Sequence, residues 1–510
     1  VRLEEKGLTW PQATLDRIEQ EIQDMTDAAG SVTALTKTLA SFGVNVDILR
    51  ALYIIEAKNT ALKASLYGTD GSLISASAKQ EYLNDNALAF RQILLRSYRY
   101  LYVTDGNGDD VYYLPNENNE KVSNIAYDKE TGHTRTDKDG KTVYDGALTQ
   151  LKARGNTTFT NAEKKSYQIK LGENKIKDKD RDLIGCGEDV KTWTLLAGSH
   201  DATLMRDKMF KDLAKSLGMP YTASTDWVDL YYDGVYRGTY IVSEKNSVNK
   251  TGVNITDMED AYEKLNPGYG ENASTALAEN KYGQTYQYTT GLTEPENITG
   301  GYLLELNGTK LDESYNPKYD EASGFITGKG SAMNVKSPEY CGKDAMAYIS
   351  EYYQEFEDAV YAKDADGNFT GYNAQTGKYY YEYCDLNSLV KAYLMQYLSG
   401  NSDAFYSSFF VYKDVDGIMY AGPVWDMELT GGGGWSGVIT SDNTFINGRY
   451  LVQALTQIPG FRAAVNNYYH NTFLAQAQAL VGDNGKVQSY YNRISASAAM
   501  NYRQGPVIRV

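Results

Sequence analysis

The sequence predicts an α+β protein in two lobes, a small β-rich one and then a mostly helical one, behind an N-terminal helical extension. Three observations predict this. Helical spacing of apolar residues fills the first 66 positions, two-residue alternation dominates from Gly146 to Leu171 with two further strands between Trp227 and Ser243, and helical spacing returns after Asp344. At 510 residues the chain is also too long for one simple core.

In the extension, Leu15, Ile18, Ile22 and Met25 recur at helical spacing, as do Val32, Leu35, Leu39 and Phe42, with Gly30 and Gly43 between them. Too few heptads follow one another for a coiled coil, so residues 1–100 read as helices packed on a body, and as a candidate partner-binding arm. A further helical stretch is expected from Asn86 to Tyr98. The β-rich lobe is assigned to 101–249. Its first part is polar, and Asp105–Asp110 imitates a calcium loop without the required glycine and glutamate. Similar Asp-Gly turns at Asp137, Asp364 and Asp414 are read as hairpin turns. Then Leu148, Leu151 and Ala153 lead into Arg154-Gly155-Asn156-Thr157-Thr158, and the chain returns as a strand in which Tyr167, Ile169 and Leu171 face one way, Gln168 and Lys170 the other. A helix is expected over 202–217, stopped by Gly218, and a hairpin over Trp227 to Ser243 about Asp233-Gly234. Residues 250–298, polar throughout, read as a linker or insertion. The helical lobe, 299–505, opens on the buried strand Gly300–Leu306 and continues with helices at 344–361, 387–398, 461–479 and 487–500.

Composition narrows the function. Sixty-six acidic residues against fifty basic ones give a net charge of −16, which excludes a general nucleic-acid binder, since such affinity rests on neutralising phosphates. No run of about 18 apolar residues is present to cross a membrane. Cys186, Cys341 and Cys384 are odd in number and widely spaced, so neither a disulfide framework nor a zinc ribbon is expected. His133, His200 and His470 are too dispersed for a zinc site, and His200-Asp201 lacks a nucleophile elbow. The opening Val1–Glu5 reads as the start of a processed fragment.

The densest chemical signal lies near the C-terminal third. Gly400-Asn401-Ser402-Asp403 precedes a strand, Asp414–Gly417 turns the chain, and a second strand ends at Gly422-Pro423-Val424-Trp425-Asp426. A hairpin with an acid at each foot brings Asp403 and Asp426 together. Phosphoryl transfer needs such a pair, one carboxylate to orient a hydroxyl and another to hold the metal of a nucleotide.

With these blocks in order, the chain resembles the spore-coat CotH family of atypical kinases. The resemblance rests on Arg154–Thr158, Lys164–Lys170, Leu204-Met205-Arg206, Asp229–Lys245, Gly300-Gly301-Tyr302, Asn401–Asp403 and Gly422–Asp426, and spans roughly 145–503. It implies a bilobal protein-kinase-like fold, ATP and magnesium (or manganese in its place), and transfer to serine or threonine hydroxyls of a protein substrate, with autophosphorylation as one outcome. By position it implies Asp403 as the catalytic acid, Asp426 with Ser408 as metal ligands, and Lys170 as the lysine on the α- and β-phosphates, with Lys165 as the alternative. Arg154, Gly155 and Asn156 would cradle phosphate from the glycine turn, Arg206 would serve the phosphates, and Glu244 would sit at the adenine hinge. The acidic partner of the lysine is Asp207 or Asp212. Two departures stand out: the family's Trp-Asp-Phe-Asp is here Trp425-Asp426-Met427-Glu428, and Ser408 takes the place of a metal-binding asparagine. Gly431–Gly434 reads as either an activation segment or a surface loop. The resemblance also implies a secreted, cell-surface or spore-coat location. Transfer of AMP or glutamate, or a pseudokinase serving as a binding module, remain alternatives on the same fold.

Overall fold

The computed structural model describes residues 12–40, 45–51, 53–54 and 57, strands at 100–103 and 133–136, and most of 142–503; 156–158, 160–161, 173–179, 181, 185, 187–188, 233–234, 310–320, 402, 432–443 and 483 are left out of that last stretch. The expected helix at 86–98, the turns at Asp105 and Asp137, Asn156, and Gly432–Gly434 therefore lie outside the described residues. The chain divides into two compact units, 1–92 and 93–510.

In the first unit, α1 (Gln12–Ala29) and α2 (Val32–Ala40) form as their spacing predicts. Ile18, Ile22 and Thr26 are the buried residues of α1, one turn apart, and Leu35 is buried on α2. Gly30 separates the helices with a positive φ of 84°, a conformation that glycine takes at no steric cost.

The second unit is mixed α and β with several antiparallel sheets, as the α+β expectation requires. Seven strands close a barrel in the order β1-β2-β3-β4-β5-β7-β6: β1 (Tyr100–Val103), β2 (His133–Thr136), β3 (Thr142–Arg154), β4 (Ser166–Gly172), β5 (Thr192–Leu196), β6 (Thr225–Tyr232) and β7 (Val235–Glu244). All neighbours are antiparallel except the closing pair β1–β6. Alternation builds the barrel core from Leu151 and Ala153, Tyr167, Ile169 and Leu171, Trp193 and Leu195, and Tyr240 and Val242. A register shift between Leu148 and Gln150 lets both Leu148 and Leu151, three apart, face inward.

α3 (Arg206–Ser216) lies between β5 and β6 in sequence and turns Phe210, Leu213 and Leu217 into a larger second core. That core covers a seven-stranded sheet of order β16-β15-β10-β12-β11-β9-β8. After α4 (Met258–Leu265) come β8 (Thr275–Glu279), β9 (Thr285–Thr289), β10 (Tyr302–Thr309), β11 (Gly324–Ile326) and β12 (Ser331–Ser337). Residues 250–298 thus carry a helix and a hairpin continuing the sheet. Their polarity reflects an edge position, with β8 mostly exposed along its length. α5 (Lys343–Tyr361) follows, then the small hairpin of β13 (Tyr372–Asn373) and β14 (Lys378–Tyr379), α6 (Leu386–Ser399), β15 (Phe409–Lys413) and β16 (Met419–Ala421). The second part of the chain is therefore helical and also contributes five strands to the large sheet. The turns at Asp364 and Asp414 close through Gly367 and Gly417 N–H bonds to the aspartate carbonyls.

Beyond the hairpin come α7 (Val452–Leu455), α8 (Pro459–Tyr468), α9 (Leu474–Gln478) and α10 (Lys486–Arg503). The single helix expected over 461–479 is interrupted by a π-turn at Tyr469–Phe473. The last helix does not join the large core. It returns to the barrel, where Tyr490 and Ile494 pack with Trp227 and Ile241, and Arg493 pairs with Asp226 at 2.6 Å. None of the three cysteines is in a disulfide, and among the described residues no helix is long and apolar enough to cross a membrane.

Candidate functional site

β15 and β16 pair in tight register, Val411 opposite Ala421 and Lys413 opposite Met419, and β15 pairs on its other side with β10. The feet of the hairpin are thereby fixed. α6 ends at Gly400 in the left-handed conformation (φ 58°), and the next residue, buried Asn401, accepts the Asp403 N–H at 3.0 Å. The Asn401 amide also reaches the Met427 sulfur at 3.8 Å, so one side chain touches both acid motifs. Ser408 and Asp426 both hold positive φ, 54° and 55°, and Phe405 does too at 49°. Three non-glycine residues in this strained region, gathered at one place, mark a site whose geometry the surroundings impose.

Asp403, Ser408 and Asp426 line a cavity of about 660 Å³ whose other wall is the outer face of the barrel. The Ser408 hydroxyl donates to Asp426 Oδ2 at 3.3 Å. Asp426 is open to the cavity but crowded by protein on its other sides. That confinement, and then the charge of Asp403, push its pKa above the ordinary carboxylate value, while Arg154 and the Ser408 bond oppose the rise. Glu428 also lines the cavity, and burial together with the charges of Asp426 and Asp207 pushes its pKa up to about 8. Arg154 is the cation among these acids. Burial works against its charge, and Asp426, Glu428, Asp207 and Glu305 sustain it.

The segment around Asp426 is held from three directions. The Met427 N–H donates to Asp207 Oδ1 at 3.2 Å. Lys211, wholly buried, lies 2.8 Å from Asp207 Oδ2, 3.2 Å from the Ser243 hydroxyl and 4.5 Å from the centre of the Trp425 ring. The Arg154 guanidinium lies 5.3 Å from the same ring. Trp425 and Met427, the two neighbours of Asp426, are thus each fixed by a charged side chain from outside the hairpin.

The other expected residues divide. Arg154 and Gly155 line the cavity, as does Asp207. Asp212 instead pairs with Lys208 at 3.0 Å and accepts from Tyr490 at 2.6 Å, so Asp207 is the acid of α3 that faces the site. Lys170 does not line the cavity. The register sets Arg154 opposite Ser166, Lys152 opposite Gln168 and Gln150 opposite Lys170; Ser166, Gln168 and Lys152 line the cavity, and Lys170 falls one step past its end. Lys165, the alternative, turns its ammonium to the Phe159 carbonyl at 2.7 Å. Glu244 shares the parity of Tyr240 and Val242, which places it on the barrel side, buried and away from the cavity. Arg206 is tied by its Nη1 to Asp201 at 2.9 Å, and Asp201, not Arg206, reaches the cavity wall. Lys152 was the residue missed. It shares strand parity with Arg154 between the inward-facing Leu151 and Ala153, and that alternation was the signal that could have found it.

Among the described residues, no group of three or more His, Cys, Asp or Glu side chains is spaced to cage a metal ion by itself. Asp426 with Ser408 offers oxygen donors, which suit a hard cation that takes its remaining oxygens from phosphates and water. A comparison with protein-family models matches residues 151–504 to the family described as CotH kinase protein. A search of curated proteins finds no match.

Proposed function

The chain belongs to the CotH kinase family over most of its length, and from that premise we propose that it is an atypical protein kinase, transferring the γ-phosphate of ATP to serine or threonine hydroxyls of a protein. The barrel and the helical part with its hairpin would correspond to the two lobes of a kinase-like fold. One observation carries the reading: Asp403 and Asp426 stand at the two feet of a register-locked hairpin and face one cavity, with Arg154 across from them. Asp403 orients the attacking hydroxyl and accepts its proton. Arg154 and Lys152, on the same face of β3, hold the phosphates in line with it. Asp426 and Ser408 are the residues that would hold magnesium, or manganese in its place; when bound, such an ion offsets phosphate charge. Asp207 and Lys211 act on Asp426 through its neighbours and touch no substrate. A cell-surface or spore-coat location is part of the proposal and rests on the family alone.

The test is intact-mass analysis of the protein and a generic acceptor after incubation with ATP and magnesium. The expected product carries added phosphate, and Asp403→Asn and Asp426→Asn each lower its rate by at least about a hundredfold while keeping the wild-type melting temperature. An adduct with the mass of AMP, or wild-type rates in either variant, refutes the assignment.

A further inference from the structure

The cavity-facing loop of Gly198, His200 and Asp201 belongs to neither the hairpin nor a sheet, yet it is fastened at several points. Ala197, which precedes it, donates its N–H to Ser166 Oγ at 2.9 Å and accepts the Lys164 ammonium at its carbonyl, also at 2.9 Å. Ser199 Oγ donates back to the Lys164 carbonyl at 2.8 Å. Lys164 and Ser166 form the returning foot of the turn that starts at Arg154 and Gly155. The loop and that turn therefore share one anchor, and the anchor is Lys164.

Lys164 is itself held by the far end of the chain. Its ammonium donates to Asn501 Oδ1 at 3.1 Å and to the Thr239 carbonyl, and sits 4.2 Å from the centre of the Tyr240 ring. The same Asn501 oxygen accepts the Thr239 N–H at 3.0 Å. Both partners are donors, which fixes the amide orientation. Asn501 is 1% exposed, and its close approach depends on Gly238, where a Cβ would run into the Asn501 oxygen. One residue on, the Tyr502 hydroxyl donates to the Ala202 carbonyl at 2.6 Å, on the other side of the loop.

We propose that Asn501 is a positioning residue for the cavity, acting through Lys164, and that Tyr502 acts with it by tethering the loop at Ala202. The last turn of α10 thus sets how the His200–Asp201 loop and the foot of the Arg154 turn sit around a bound nucleotide, a role that rests on the cavity being the nucleotide site. The rest of α10 is attached elsewhere, by Arg493 to Asp226, and that pair gives a control within the same helix.

The experiment compares the full chain with Asn501→Leu, Asn501→Asp, Tyr502→Phe and Arg493→Met, using hydrogen exchange of peptides over 197–205 and ATP affinity by calorimetry. Asn501→Leu is expected to speed exchange in 197–205 by about tenfold and to weaken ATP by a similar factor, the scale of one lost hydrogen bond to a charged group. Asn501→Asp, which keeps the acceptor, should restore both. Tyr502→Phe, at an exposed position and keeping the ring, should speed exchange in the same peptides; it decides the matter should Asn501→Leu fail to fold. Arg493→Met should leave 197–205 at the wild-type rate. Exchange in 197–205 unchanged in both Asn501→Leu and Tyr502→Phe overturns the proposal, as does an equal rise in Arg493→Met. A wild-type chain that binds no ATP sinks the kinase reading instead, and the exchange pattern still decides the role of Asn501.

Discussion

Replacing Lys211 by methionine removes a wholly buried ammonium from the pair that holds Asp426 in place. Three contacts go at once: the 2.8 Å ion pair to Asp207, the 3.2 Å bond to Ser243, and the approach to the Trp425 ring at 4.5 Å. Methionine fills much of the same volume, so little of the loss comes from a cavity. What remains is Asp207, 4% exposed, which has lost its direct ion pair and keeps the hydrogen bond from the Met427 N–H. Breaking a buried pair from one side costs about 3–5 kcal/mol, because the surviving charge is stranded. Unfolding entropy of about 2 cal/mol/K per residue over roughly 400 residues converts this into a fall in melting temperature of about 4–6 °C.

Scanning fluorimetry at one scan rate reads the stability, and ATP affinity reads the site. A second variant separates the two roles. Asp207→Leu combined with Lys211→Met removes both charges, and such apolar replacement of a buried pair is commonly neutral or stabilising. The double variant should therefore recover most of the lost temperature without recovering ATP affinity, since the Met427 N–H has lost its acceptor and the cavity its Asp207 carboxylate. A single variant melting within about 1 °C of wild type would refute the stranded-charge argument. A double variant that binds ATP as wild type would refute the positioning of Asp426 by Asp207.

The register also distinguishes two lysines. Lys152→Met is expected to weaken ATP by about ten- to a hundredfold, the worth of one charge-assisted contact to phosphate, whereas Lys170→Met should bind normally; the reverse result in calorimetry would restore the assignment made from the family pattern. Burial lowers the Lys164 pKa to about 7 in the folded chain, against about 10.4 unfolded. Below pH 7 the lysine is charged in both states and the folded state bears the full cost. As pH rises from 7 toward 10 the unfolded state holds the extra proton, so this group adds stability, by at most about 1.4 kcal/mol per pH unit. Urea unfolding at pH 7 and pH 9 should show that gain in wild type and not in Lys164→Met, and parallel behaviour of the two would contradict it.

Periodicity made the local elements legible. The strands around Ile169 and Tyr240, α3, α5 and α6 all lie close to where spacing predicts them, because each buries one face and the sequence records that face. The two acids were legible for a different reason: one precedes and the other follows a pair of strand signals, and a two-strand hairpin can only bring its feet together. What the spacing could not carry was register between distant strands. Choosing Lys152 over Lys170 needs the pairing of β3 with β4, including its shift between Leu148 and Gln150, and neither strand's own spacing records that register. The direction of the Glu244 side chain is hidden in the same way, since its parity with Val242 counts only once the barrel interior is known. The return of α10 to the barrel is least legible of all. Its contacts join Arg493 to Asp226 and Asn501 to Lys164, across more than half of the chain, and no local pattern encodes such a partner.

These long-range contacts explain how a site can tolerate so much mutual repulsion. Asp403, Asp426, Glu428 and Asp207 face one cavity, and like charges in such confinement would spread apart if their backbone were free to yield. None of the four sits on a segment held only by its own neighbours in sequence. Asp403 is bonded to Asn401, which also reaches Met427; Met427 is bonded to Asp207, Asp207 is paired with Lys211, and Lys211 reaches Ser243 of the barrel. The chain of contacts runs from the large core through α3 into the barrel. The cost of crowding the carboxylates is therefore carried by the packing of both cores and by the strained backbone at Ser408 and Asp426. A group of acids held this way cannot relax by moving. It can relax toward its protonated form, the direction in which Asp426 and Glu428 are both pushed, or by receiving positive charge from Arg154 and whatever cation enters with a substrate, and that need for charge is the property a nucleotide–metal complex would meet.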